Sequence, residues 1–226
     1  MDFSNQAQTS NSISLLLVIV LVAVAPSLIL MITCFPRILI ALHFLRSALG
    51  TQQMPPGQII IGLSLFLSLF IMNKPISAAY NEAFIPYSKS EITQEAAIER
   101  AYRPFREFML TQVQKKDIQL MGSLSGENYI LQPEDNTQPS FVNPDVPPHV
   151  LIPAFMISEL KAGFLIGFAI YIPFIVIDMV VASTLMAMGM MMLPPAMISL
   201  PFKILLFILV DGWDLVIKQV ALSFMR

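Results

Sequence analysis

The stretch from Tyr171 to Lys203 constrains this chain more than any other part of its sequence. It is apolar almost throughout, and three consecutive methionines lie at its centre: Met190, Met191 and Met192. Gly189 precedes them, and Pro194 and Pro195 follow after a single leucine. Proline cannot continue a helix, and it pushes the residue before it out of the α region. The sequence therefore predicts two apolar helices that meet at a sharp corner formed by Gly189, Pro194 and Pro195.

The composition places the chain among membrane or membrane-assembly proteins. It is 56% hydrophobic and has a mean hydropathy of +0.71, well above a soluble domain. The apolar piece from Asp178 to the corner has only about 15 residues, whereas a bilayer span needs about 20. Irregular backbone at membrane depth is tolerated only inside protein or beside a water-filled cavity. The stretch is therefore either a re-entrant hairpin or a segment that is buried against other protein.

Three regions follow from the distribution of charge. Residues 1–73 contain apolar helices: Ile13 to Thr33 is long enough to span a bilayer, and Ile59 to Asn73 is shorter. The start of the chain lacks the basic segment of a signal peptide, so we expect the first apolar helix to be retained. Residues 74–149 are polar and carry more than half of the charged residues, and residues 150–226 are apolar again and carry the methionine turn. The net charge of −2 predicts no nucleic-acid partner.

The polar region is partly helical. Ser90 is a predicted N-cap, and Pro104 is expected to interrupt the helix that follows. Three apolar residues after Pro104 recur at helical spacing and predict an amphipathic packing face: Phe105, Phe108 and Met109. Residues 122–148 contain five prolines and little periodicity, which indicates a flexible loop.

An unpaired charge inside an apolar segment costs several kcal/mol, and four residues of the second apolar half are the candidates for ion pairs. They are Glu159, Lys161, Asp178 and Lys203. Glu159 and Lys161 point to different sides of a helix and suit two different neighbours. Asp178 and Lys203 lie at unequal distances from the proline corner, which favours pairing between subunits, and Glu159 is likewise expected at a subunit interface with a basic partner. The alternatives to ion pairs for these charges are a proton relay and snorkelling of the side chains to a membrane interface.

Catalytic and metal-binding motifs are absent from the sequence. The stretch from Gly50 to Gly57 lacks the Lys-Ser/Thr of a phosphate loop, and Gly50 is better explained as a helix stop. His43 and His149 have no neighbours at ligand spacing. Ser158 and Ser183 lack a plausible histidine and acid set. We therefore expect no enzyme activity, no metal and no cofactor.

Several motifs together resemble the FliP/SctR family of type III export-gate proteins. They are LRSALGT with PPGQ between Leu45 and Gln58, PFREFML from Pro104 to Leu110, the block from Ser158 to Pro195, and LPFKILLFILVDGW from Leu200 to Trp213. The resemblance covers nearly the whole chain except its N-terminal tail and the loop at 122–148. The Gly-Met-Met-Met-Leu-Pro-Pro sequence is closer to the flagellar branch than to the virulence branch.

The resemblance implies an all-α fold of membrane-associated helical hairpins, with kinked and discontinuous apolar helices that build a ring. Such proteins typically form rings of five copies with FliQ and FliR, and dock on FlhA and FlhB. They lie in the bacterial inner membrane, in contact with lipid, within the flagellar basal body. Their assembly projects largely to the periplasmic side and passes unfolded flagellar subunits. A small secondary transporter with a broken-helix ion site is the alternative function.

Met190, Met191 and Met192 are the candidate pore gate. Three adjacent residues cannot share one side of a regular helix, so they predict a short loop at a hairpin tip. Methionine is unbranched and adaptable, and a ring of such loops would form a thioether constriction that seals by dewetting. The alternative is that these side chains fill a core beside Met186 and Met188.

Overall fold

The computed structural model describes residues 29–51, 54–126, 146–190 and 192–225, together with 15–16, 19–20, 23–24 and 26–27. Within these ranges the regular structure is entirely helical, which confirms the all-α class. The helices are α1 (Phe35–Leu49), α2 (Gly57–Ile71), α3 (Asn73–Ser88), α4 (Gln94–Gln112), α5 (Lys115–Ser125), α6 (Pro148–Ala187), α7 (Pro195–Leu209) and α8 (Gly212–Leu222). Much of the apolar segment predicted at 13–33 lies outside the described residues.

One helix dominates the fold. Helix α6 has 40 residues, about 60 Å at the usual rise, so the expectation of short apolar segments in this region was wrong. Pro153 and Pro173 lie inside it. Each interior proline removes one backbone hydrogen bond, but packing of α6 against several other helices keeps the helix continuous. The sequence pattern shows the two prolines but not the packing that keeps the helix continuous across them.

Helix α6 is the one described helix that is long and apolar enough to cross a membrane. A second candidate exists if α2 and α3, which are bent by 63° at their junction, count as one span. Only 11% of the most apolar window of α6 is buried within the chain. Because a large exposed apolar surface marks a membrane or protein contact, α6 needs lipid or other protein chains around it.

The main core lies between α1 and α6, with α2 and the C-terminal helices packed around it. Ile38 and Leu42 on α1 are fully buried there. Gly163 and Gly167 on α6 allow the close approach, since a Cβ atom at Gly167 would lie 2.5 Å from the ring of Phe44. The two glycines therefore fix how α1 lies along α6.

A second, smaller core joins the polar region to the beginning of α6. Met109 on α4, Ile118 on α5 and Phe155 on α6 are fully buried in it. Phe108 is partly buried and contacts this core, and Phe105 packs against the main core. The predicted amphipathic face at 105–109 thus lies against the rest of the chain.

Three local predictions in the polar region were wrong. Thr93, not Ser90, caps α4, because its hydroxyl accepts a hydrogen bond from the Ala96 backbone at 3.4 Å. Pro104 does not interrupt α4, because the proline is itself buried and the packing of the helix offsets one lost hydrogen bond. Helix α5 continues to Ser125, so the loop begins after residue 125 rather than at 122. Residues 127–145 of that loop lie outside the described residues.

The predicted helix stop at Gly50 is confirmed. Helix α1 ends at Leu49, and Gly50 follows with a φ of 70° in the left-handed region. Glycine adopts this conformation without the strain that a Cβ atom would cause. The chain then turns into α2, which returns along α1 so that Cys34 contacts Ser68.

We expect Gly167→Ala to destabilise the protein by about 1–3 kcal/mol, because the added methyl group overlaps the Phe44 ring. Gly62→Ala is the matched control: its site in α2 is open, and alanine favours a helix interior by about 0.5–1 kcal/mol. Thermal unfolding in detergent, followed by circular dichroism, measures both. Equal melting temperatures for the two variants would contradict the close packing of α1 on α6.

Candidate functional site

A buried ion pair between Arg37 and Glu159 joins α1 to α6. The two residues are 4% and 0% exposed. The Arg37 guanidinium donates to both carboxylate oxygens of Glu159, and the Nε–Oε2 distance is 3.0 Å. Such two-point contacts between arginine and a carboxylate fix orientation as well as distance. The basic partner expected for Glu159 is therefore present, but in the same chain rather than in a neighbouring subunit.

The remaining donors of Arg37 hold the C-terminal segment. One guanidinium nitrogen donates to the carbonyl oxygen and to the hydroxyl of Ser223, both at 3.1 Å. The guanidinium also lies 3.9 Å from the ring centroid of Phe224. Gln112 at the end of α4 donates to the Phe224 carbonyl at 3.3 Å and accepts from Arg37 at 3.4 Å. Arg37 therefore links α1, α4, α6 and the C-terminal segment.

Lys161 pairs with Asp117 on the other side of α6. Asp117 is 1% exposed and lies on α5. Its second carboxylate oxygen accepts a hydrogen bond from the Ser158 hydroxyl at 2.7 Å. The same hydroxyl accepts from the Gln114 backbone at 2.9 Å. Glu159 and Lys161 thus face two different neighbours, and the second pair fixes the α4–α5 junction on α6.

Asp178 and Lys203 form a third ion pair, within one chain. Lys203 Nζ lies 2.6 Å from Asp178 Oδ2, and the Ser199 hydroxyl donates to Oδ1 at 2.6 Å. The prediction of pairing between subunits was wrong. That prediction counted the residues from each charge to the proline pair. In the structure, however, α6 ends at Ala187, nine residues after Asp178, and α7 begins at Pro195, eight residues before Lys203. The two charges therefore face each other across the helix pair.

The methionine turn connects α6 to α7 and lies on the surface of the chain. Gly189 has a φ of 75°, which glycine adopts without strain. The side chain of Met190 is 46% exposed and that of Met192 is 97% exposed, while Met191 lies outside the described residues. Pro194 caps α7 and Pro195 is its first residue, where the missing N–H costs nothing.

The core-filling alternative for the methionines receives no support within this chain. Met186 and Met188, the neighbours proposed for such a core, are 59% and 61% exposed. The whole end of the α6–α7 pair therefore presents thioether and aliphatic surface. The part of the chain that the structure describes leaves this surface uncovered.

Sequence reasoning missed the partners of these charges. Arg37 and Glu159 are 122 positions apart, and no periodicity connects residues at such a separation. The available signal was that Arg37, like Glu159, stands in an apolar segment. Asp117 gave no signal, because acids are common in the polar region and most are solvated.

Comparison with known proteins decides the family. A profile of the FliP family matches residues 17–220. This chain belongs to the FliP family. Among its relatives, the flagellar biosynthetic protein FliP of Bacillus subtilis is 47% identical over 98% of this chain and 96% of its own length. The FliP of Pectobacterium carotovorum is 50% identical over 88% of this chain and 73% of its own length. That of Treponema denticola is 43% identical over 100% of this chain and 82% of its own length.

The FliP match includes every functional feature described above except the last residues of the C-terminal segment. The three ion pairs and the methionine turn lie within residues 17–220, whereas Ser223 and Phe224 follow it. The resemblance inferred from the motifs is therefore confirmed. Its strongest block, from Ser158 to Trp213, contains Glu159, Lys161 and the methionine turn.

We expect Glu159→Ala to lower the free energy of unfolding by about 3–5 kcal/mol, because it leaves the Arg37 charge buried and unpaired. Replacing both partners, with Arg37→Met and Glu159→Leu, should cost less than the single change. Arg103→Ala is the control, since Arg103 and its partner Glu82 are 61% and 43% exposed and such pairs contribute less than about 1 kcal/mol. Denaturant unfolding measures all three, and equal losses for Glu159→Ala and Arg103→Ala would refute the buried pair.

Charge exchange tests whether the Asp178–Lys203 pair lies within one chain. Asp178→Lys with Lys203→Asp in the same polypeptide should restore the stability that either single change loses, because both charges stay opposite each other. Co-expression of the two single variants should give no rescue, since each chain would then hold two like charges. Rescue by co-expression, measured by the amount of folded protein in membranes, would instead place the pair between chains.

Proposed function

We propose that this chain is a pore-forming core subunit of the flagellar type III protein export apparatus. Membership of the FliP family makes it a flagellum biogenesis protein and not a member of an enzyme family. The proposed role is to line the channel through which unfolded flagellar subunits cross the bacterial inner membrane. The observation that carries this proposal is the exposed methionine turn at the end of an apolar helix pair.

The proposal includes a ring of copies of this chain, five by the family resemblance, with FliQ and FliR around it and FlhA and FlhB docked on it. The exposed apolar surface of α6 supports an assembly. Only 11% of the most apolar window of this helix is buried within the chain, and a large exposed apolar surface marks a contact with other protein or lipid. Lipid would cover what these partners leave open. We place the assembly in the basal body, projecting to the periplasmic side.

In such a ring, the methionine turns would meet around the axis. Thioether side chains exclude water from a narrow opening when the channel is empty, and they adapt to many side-chain shapes when a polypeptide passes. The Asp178–Lys203 pair would brace α7 against α6 below each turn. The turn can then deform while the helices that carry it stay fixed.

The transporter alternative rests on charges inside apolar helices. All four of these charges are paired within the chain, and four of the six groups in the pairs are at least 99% buried or hydrogen-bonded to a serine as well. Paired, hydrogen-bonded charges support a structural role more than an ion site. We therefore favour the export-gate function.

Replacing Met190, Met191 and Met192 together with glycine should leave the complex assembled but leaky to ions, because the constriction loses its apolar side chains. Conductance of the reconstituted complex across a planar bilayer measures the leak. Met225→Gly is the control, since Met225 is also exposed, at 75%, but lies at the end of the C-terminal segment. A triple variant that assembles and conducts no more than the parent would overturn the gate.

A further inference from the structure

A polar cavity lies where α1 ends, beside Lys203 of the third ion pair. It has a volume of about 320 Å³ and is lined by His43, Arg46, Ser47, Gly50 and Thr51. Its lining contains no carboxylate. Gly50, in the left-handed conformation, lines the cavity with backbone atoms only, because it has no side chain.

Arg46 is the centre of this cavity. It is half-buried, yet among the described residues it has no hydrogen-bond or ion-pair partner. A Cβ atom at Gly57 would lie 3.5 Å from Arg46 Nη1, so the guanidinium rests against the first residue of α2. Arg37, nine residues earlier on the same helix, shows the contrast, because all its donors are directed to protein atoms. The Arg46 guanidinium is thus positioned to bind an anion in the cavity.

The other groups around the cavity add donors and positive charge. The Ser47 hydroxyl and the His43 ring line the cavity beside Arg46. Thr51 also lines the cavity, but its hydroxyl donates to the Met54 carbonyl. Lys203 Nζ would lie 3.5 Å from a Cβ atom at Gly50, although Asp178 offsets its charge. The end of a helix carries about half a negative charge, which one arginine exceeds, so the cavity is net positive.

We propose that this cavity binds a phosphate group, and that the phosphate is the headgroup of an anionic phospholipid. Arginine matches phosphate with several parallel hydrogen bonds, and a serine hydroxyl can serve a further oxygen. Basic pockets between apolar helices are known to bind lipid headgroups. The first residue of α2 lies against Arg46, and α7 approaches Gly50 through Leu200 and Lys203. Both helices carry exposed apolar side chains, among them Ile59 on α2 and Phe202 on α7, which are 58% and 55% exposed. Acyl chains can cover these side chains, whereas free phosphate cannot.

A carboxylate from a neighbouring protein chain is the competing occupant. It would pair with the Arg46 guanidinium equally well, but it has two acceptor oxygens in one plane. The Ser47 hydroxyl and the His43 ring lie beside the guanidinium, which suits the tetrahedral oxygens of a phosphate better. The lipid is therefore the occupant that uses the whole cavity.

Native mass spectrometry of the full-length protein in detergent tests the proposal, with phosphatidylglycerol or phosphatidylcholine added. We expect phosphatidylglycerol to bind more tightly than phosphatidylcholine, and Arg46→Gln to weaken phosphatidylglycerol binding about fivefold. Ser47→Ala should give a smaller loss. Arg106→Gln changes another half-buried arginine, on α4, and should bind phosphatidylglycerol as the parent does.

Circular dichroism checks that Arg46→Gln folds, and Ser47→Ala carries the test if it does not. Unchanged phosphatidylglycerol binding in the variant that folds overturns the proposal, as does equal binding of the two lipids by the parent. Arg46-dependent binding of inorganic phosphate without either lipid would assign the cavity to free phosphate and overturn the lipid. Loss of oligomers with lipid binding retained would assign Arg46 to a neighbouring carboxylate. None of these outcomes bears on the methionine gate, which the conductance measurement tests separately.

Discussion

The buried pair of Arg37 and Glu159 is the interaction on which the rest of the arrangement depends. Removing two charges from water costs several kcal/mol for each ion, and their attraction offsets this only when the remaining donors are satisfied. Here they are, by Ser223, Gln112 and the ring of Phe224. A different register of α1 along α6 would leave both charges buried and unpaired. The pair therefore favours the observed register of α1 along α6.

That register sets the positions of the other features. With Arg37 beside Glu159, Phe44 packs at Gly167 and α1 ends near Lys203. The Asp178–Lys203 pair then stands near the end of α1, and the methionine turn extends past it. The chain thus combines buried ion pairs and two hydrophobic cores with a large exposed apolar surface on α6 and α7. Lipid and partner chains must complete a structure that is built in this way.

Local signals in the sequence were reliable where one residue decides the backbone. Gly50 ends α1 because only glycine adopts its left-handed conformation without strain. Local signals failed where packing outweighs them, as at Pro104 and in the continuous helix α6 across Pro153 and Pro173. A single lost hydrogen bond costs less than the contacts that a continuous helix keeps. The capping error at Ser90 arose for a related reason, because Thr93, also a good cap, lies three residues further on and the chain uses it instead.

The sequence by itself determined the helical class, the apolar character, the family, and the residues that carry the charges and the turn. These properties follow from residue type, short spacing and motifs, which are local. Only the tertiary structure decided which charges meet. Glu159 pairs with Arg37 and Lys161 with Asp117 because α1 and α5 lie on different sides of α6, and chain order does not encode that placement. Asp178 meets Lys203 because α6 ends before the methionines, so the turn is longer than the proline pair alone indicates.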